Sequence, residues 1–168
     1  MGKRVDSYHF IGGMTKRLVK RWIGMEEPRP IPWSVLSKPL EVCTVALISS
    51  AGMALQSDTP FDQEGERENP WWGDPSYRII PRGTKTDDVH VYHQHIDVSF
   101  AERDLNCLLP IERLEELADA GFVGSAAPSH YSFMGYLLEP ERFLEESVPQ
   151  IVSHLVQEAV DIAPLVPA

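Results

Sequence analysis

Four groups of residues carry side chains that could do chemistry. His93 and His95 stand two apart in Val-His-Val-Tyr-His-Gln-His-Ile, with Asp97 continuing the same period, so on an extended strand all three share a face. A His-x-His pair with a carboxylate is a reasonable donor set for a divalent metal. His130 lies in Ser-His-Tyr-Ser-Phe-Met-Gly-Tyr beside small and aromatic residues, where acid–base or substrate-binding histidines sit at the end of a strand. Ser49-Ser50-Ala51-Gly52 follows an apolar run directly, and small residues there leave room for a ligand against backbone amides. No complete glycine-rich phosphate fingerprint accompanies them. Asp104-Leu105-Asn106-Cys107 comes before Pro110, as capping or turn residues or as site residues.

Several elements must position these groups. Cys43 to Ile48 predicts a first, central strand, Ser76 to Pro81 and Val89 to Ile96 two more, and Phe122 to Ala127 a fourth. Pro110 opens a helix over Ile111–Ala120 that Gly121 ends. Leu144, Val148, Ile151, Val152, Leu155 and Ala159 recur at helical spacing, which predicts an amphipathic helix on a core, and Val160 to Val166 reads as a buried parallel strand after it. The alternation predicts an α/β chain with an open, mostly parallel, three-layer sheet of the flavodoxin/Rossmann-like kind, incomplete at the C-terminus.

Composition bounds the function. The chain has 168 residues, 43% hydrophobic and 24% charged, as in one globular domain. A net charge of −10 argues against a nucleic-acid surface. Two cysteines, Cys43 and Cys107, make no disulfide framework and suit a reducing, cytoplasmic setting. No apolar run is long enough to span a membrane, and the N-terminus has no secretory signal. Residues 1–24 carry six basic side chains against Asp6 alone, +5 there and −15 elsewhere. We divide the chain into a basic arm or helix over 1–27, a Pro-rich connector over 28–40 and an α/β domain over 41–168. A helix from about Thr15 to Met25 would pack on protein, lie on a membrane surface or stand in solvent. Trp71 and Trp72 lie in a turn-rich segment, as a wall of the site or a plug onto the core.

Val45 to Gly52 with Ser57-Asp58, His93 with Asp97, Asp104 to Cys107 with Pro110, and His130 with Phe133-Met134-Gly135 occur in an order and spacing that resembles the selenoprotein B family. This family comprises bacterial glycine, sarcosine, betaine and D-proline reductases, and the chain looks nearest the short selenocysteine subunit of the last. The likeness runs from about Ile31 to the end, without counterparts for the basic arm or the Trp71-Trp72 insertion.

The resemblance implies reductive cleavage of a C–N or similar bond of an amino acid or related small molecule. It implies a catalytic selenocysteine just after Ala168, so that the sequence is expected to be cut at a UGA codon. It further implies His93 and His130 in proton transfer or substrate contact, and Ser49, Ser50, Gly52, Asp97, Asn106 and Gly135 around the substrate. No cofactor is expected in this chain. A pyruvoyl group is expected on a partner reductase subunit, with a small-molecule substrate and homo-oligomerisation as further interactions. A metal-dependent enzyme using His93, His95 and Asp97, and a non-catalytic accessory subunit, stand as alternatives.

Overall fold

The computed structural model describes residues 12–25, 30, 34–69 and 72–168. Trp71, the basic residues Lys3 and Arg4, and Pro28 and Pro32 of the connector lie outside the described residues. The chain divides into two compact units, Met1–Val35 and Leu36–Ala168.

In the first unit the helix α1 spans Gly13–Ile23. It starts two residues before the predicted Thr15, because Gly12 already accepts the Lys16 amide.

The second unit contains, in chain order, β1 (Thr44–Val45), β2 (Ile48–Ser49), β3 (Met53–Leu55), α2 (Gln63–Glu68), β4 (Tyr77–Pro81) and β5 (Val89–Val91). There follow α3 (Ile111–Asp119), β6 (Ser125–Ala126), β7 (Ser129–Phe133), α4 (Val148–Gln157) and β8 (Leu165–Val166). One sheet runs β4-β7-β2-β8, with β7, β2 and β8 parallel and β4 antiparallel to β7. β1 pairs with β6 in parallel, and β3 pairs with β5 antiparallel. The architecture is α/β, as expected.

Alternation along the strands sends side chains to two cores. Val45, Leu47 and Ala51 join Ile80 and the α3 residues Ile111 and Leu114 on one face. Ala46, Ala127 and Tyr131 join Ile151 and Leu155 of α4 on the other. Helices therefore cover opposite faces of the strands.

Local chemistry explains the helix ends. Beyond α3, Gly121 takes a φ of +76°, its amide reaching the Ala118 carbonyl and that of Phe122 the Leu117 carbonyl. The same motif ends α4, but Ala159 occupies the left-handed position at φ +54°. Pro149 has no amide proton for the Glu145 carbonyl, and a widened π turn, Phe143–Ser147, precedes it.

Four expectations are corrected. The strand from Val89 stops at Val91: Tyr92 makes one more ladder bond, to the Gly52 carbonyl, and the chain then turns. The last strand is no buried strand: β8 is the sheet edge, and Leu165 is 75% exposed. Leu144 and Val152 face solvent rather than the core. Ser129–Phe133, read from sequence as a segment following a strand, is itself β7.

Candidate functional site

The parallel strands β2, β7 and β8 end together, and the chain leaves them through Ser50, Met134 and Pro167. In an open α/β sheet that edge is where ligands bind.

Close packing there demands small residues. A Cβ on Gly135 would stand 2.7 Å from the Ser50 carbonyl oxygen. Gly52 holds φ at +62°, and a Cβ on it would meet the Met134 Cε at 3.0 Å. Its amide donates to the Phe133 carbonyl at 2.9 Å, which ties the turn after β2 to the end of β7.

The serines are engaged with backbone. Ser49 is buried, its Oγ donating to the Leu108 carbonyl at 2.8 Å and accepting the Ala51 amide at 3.2 Å. Ser50 Oγ accepts the Ala168 amide at 2.9 Å, joining the ends of β2 and β8. Ser132 Oγ accepts the Met53 amide at 2.8 Å. Nothing in its sequence context singled Ser132 out, because a serine inside a strand ordinarily faces solvent.

Pairing of β3 with β5 carries the loop after Val91 to this edge. His93 is buried, its backbone nitrogen 3.5 Å from where a Gly52 Cβ would stand. Its Nδ1 accepts the His95 amide at 3.2 Å, so the ring proton resides on Nε2. The His95 ring lies 4.3 Å from that of Tyr136 and 5.9 Å from that of His93. Ser50, Gly52, His93, His95, Gly135 and Tyr136 thus form one cluster. Tyr136 belongs to the histidine motif, yet only the fold shows that it faces His95.

The other expected site residues make hydrogen bonds of their own. His130 is the second residue of β7, fully buried, with Nδ1 accepting the Leu47 amide at 3.0 Å and Nε2 without a protein partner. Burial first, and then the Arg82 charge, push its pKa down to about 4. Asp97 is exposed; the Ser99 hydroxyl and then the Ser99 amide, which donates to Oδ1 at 3.0 Å, hold its carboxyl below the usual range. Asn106 caps α3: its Oδ1 accepts the Glu112 amide at 3.0 Å while Nδ2 donates to Asp104 and Glu112.

Because β5 stops at Val91, His93, His95 and Asp97 do not share a strand face. Among the described residues no group of three or more His, Cys, Asp or Glu side chains is placed to hold a metal ion.

Cys43 is buried before β1, its thiol donating to the Pro39 carbonyl at 3.2 Å. Cys107 is exposed in the turn that leads to α3.

A cleft of about 780 Å³ opens elsewhere, between the Asp58–Asp62 loop, β4 and the turn into α4. Its charged lining serves the fold. Arg78 donates to the carbonyls of Thr59 and Pro60 and lies 4.2 Å above the Phe61 ring. Asp74 accepts the amides of Asp62 and Ser76.

No protein-family model matches the chain, and no solved structure does. Among curated proteins it is similar to the D-proline reductase subunit gamma of Acetoanaerobium sticklandii, 34% identical over 134 residues, which are 80% of this chain and 52% of that protein. The chain therefore spans about half the length of the curated relative it matches. No helix among the described residues is long and apolar enough to cross a membrane.

Proposed function

We propose, from this relationship to a D-proline reductase subunit, that the chain is part of a thiol- or selenol-dependent reductase cleaving a C–N bond of D-proline or a related amino acid. The observation that carries the reading is the 134-residue similarity. The site in this reading is the edge where β2, β7 and β8 end.

The chemistry is a two-electron reduction. A thiolate or selenolate attacks the carbon bound to nitrogen; the C–N bonding pair passes to nitrogen, which takes up a proton. A thiol then attacks the resulting sulfur or selenium atom, and the carbon leaves with the pair and a proton. A second thiol closes the disulfide and releases the nucleophile. One dithiol is oxidised, and carbon and nitrogen each gain a hydrogen.

Within this chain His93, at the strand-end edge, is the residue that contacts the substrate or takes part in proton transfer. Gly52 and Gly135 keep the floor open, with Ser49 and Ser50 holding the turn that forms it. His130 holds the strands rather than moving protons, since its Nδ1 is spent on Leu47. In this reading neither Cys43, buried before β1, nor Cys107, in the turn before α3, is the nucleophile, which comes from outside the described residues. The electrophilic activation, by a pyruvoyl group in the resembling family, belongs to a partner subunit. A dithiol donor and two free cysteines fit a reducing cytoplasm.

The test is D-proline-dependent consumption of a dithiol by the full-length polypeptide assembled with its partner subunits. Loss of thiol in step with appearance of a primary amine is expected. An assembled, folded complex that leaves the dithiol unoxidised with D-proline and related cyclic amino acids would set the reading aside.

A further inference from the structure

The turn that carries His93 is tied on both sides of that residue to the start of α2. Tyr92, immediately before His93, donates its amide to the Gly52 carbonyl at 2.8 Å and accepts Gln63 Nε2 on its own carbonyl at 2.6 Å. Immediately after His93, Gln94 Nε2 donates to the Gln63 carbonyl at 3.1 Å. Gln63 thus brackets His93, as donor on one side and acceptor on the other. Both acceptors are carbonyl oxygens, which admit only the NH2 end of each side-chain amide. A carboxylate or an apolar side chain of the same length can take neither place.

The position of Gln63 is fixed by other bonds. Asp62 caps α2, its Oδ1 accepting the Gly65 amide at 2.9 Å, and its own amide donates to the buried Asp74 at 2.9 Å. Phe61 is buried with Ala54 and Met134, its ring 6.0 Å from that of Tyr92. Gly73 touches the other side of the cluster: a Cβ there would overlap the Tyr136 carbonyl oxygen, and the Tyr136 ring lies against His95.

We propose that Gln63 is a positioning residue of the strand-end site, setting where the His93 ring stands over Gly52. The inference rests on the reading of that edge as the reductase site. The bond from the His95 amide to His93 Nδ1 lies within the turn and moves with it. The Gln63 bonds instead tie the turn to α2, and through Tyr92 and Gly52 to the end of β2. A reacting group displaced by about 1 Å can cost 10²-fold in rate, so loss of the tie is felt in turnover before it is felt in folding.

The test uses Gln63→Met, which removes the donor and keeps the length, and Gln63→Glu, which sets a carboxylate against the Tyr92 carbonyl. In the assembled, full-length enzyme each is expected to lower kcat/KM for D-proline-dependent dithiol oxidation at least about tenfold with little change in melting temperature. Hydrogen exchange read by mass spectrometry is expected to quicken about tenfold over residues 91–96 and to stay unchanged over β7. Exchange that is unaltered over 91–96, or that quickens equally in β7, overturns the proposal, since Gln63 then holds nothing or serves stability in general. Faster exchange over 91–96 with undiminished kcat/KM overturns it as well. An unsubstituted complex that oxidises no dithiol would instead sink the reductase reading, and the exchange comparison still decides whether Gln63 holds the His93 turn.

Discussion

The imidazole Nδ1 of His130 accepts the backbone amide of Leu47 at 3.0 Å, taking a place in a parallel ladder that a carbonyl would otherwise hold. Ala127 donates to Val45 and Tyr131 to Leu47, so one strand advances four residues where the other advances two. The surplus is a bulge opened at Pro128, which has no amide proton to give. Two side chains complete the polar pairing: His130 takes the Leu47 amide, and Glu158 takes the Ser129 amide at 3.2 Å. The turn at Ser50 and Gly52 starts from this repaired ladder.

That arrangement makes stability depend on pH in a definite direction. The His130 ring takes its proton near 6.5 when unfolded and only near 4 when folded, because burial and then Arg82 oppose the charge. Between those values the unfolded chain binds more protons. Stability from this group is therefore complete above about pH 6.5 and is lost as pH falls toward 4. The full loss is on the order of 3 kcal/mol. Denaturant unfolding at pH 7 and pH 5 measures the part lost over that interval, about 2 kcal/mol. His130→Asn, which keeps an acceptor at the Nδ1 position without titrating, is expected to flatten the profile. His130→Leu strands the Leu47 amide and costs about 1–3 kcal/mol at pH 7.

Gly135→Ala is expected to separate the ends of β2 and β7. Its Cβ would meet the Ser50 carbonyl oxygen at 2.7 Å, and a backbone atom cannot swing away as a side-chain tip can. Overpacking of this kind costs about 1–3 kcal/mol. Thermal unfolding reports that cost, and activity of the assembled enzyme should fall further than stability does, since the displaced turn is the floor of the site.

Ala159 occupies the left-handed position after α4 at φ +54°, where the homologous place after α3 has Gly121. Ala159→Gly removes the Cβ strain and is expected to stabilise by roughly 0.5–1 kcal/mol, the left-handed penalty less the extra chain entropy of glycine. A melting temperature raised by a few degrees supports this assignment, and a lowered one contradicts it.

Periodicity alone exposed much of the fold. Ile111 to Ala120, framed by Pro110 and Gly121, forms its helix within one residue, and Cys43 to Ile48 forms the strands β1 and β2. Long-range pairing was hidden. β3 is three residues long and exists because β5 lies beside it, which in turn ends β5 at Val91 and breaks the supposed His93-His95-Asp97 face. His130 looks like any strand-end histidine until the bulge at Pro128 shows Leu47 needing an acceptor. Asn106 reads equally well as ligand or cap in one dimension, and the cap prevails because Glu112 offers its amide. Val152 and Val156 illustrate a further limit, since periodicity marks apolar residues without telling which of two apolar faces meets the core.

The cluster at the strand ends is the core of the functional reading, and the most direct measurement of it compares two variants in the assembled, full-length enzyme. His93→Gln should lower kcat for D-proline-dependent dithiol oxidation by about 10²–10⁴ with little change in melting temperature. Asn106→Ala, which only uncaps α3, should lose about 1 kcal/mol of stability and leave kcat unchanged. A His93→Gln enzyme with undiminished kcat, or an Asn106→Ala enzyme that is fully folded yet inactive, would contradict the placement of the site at the ends of β2, β7 and β8.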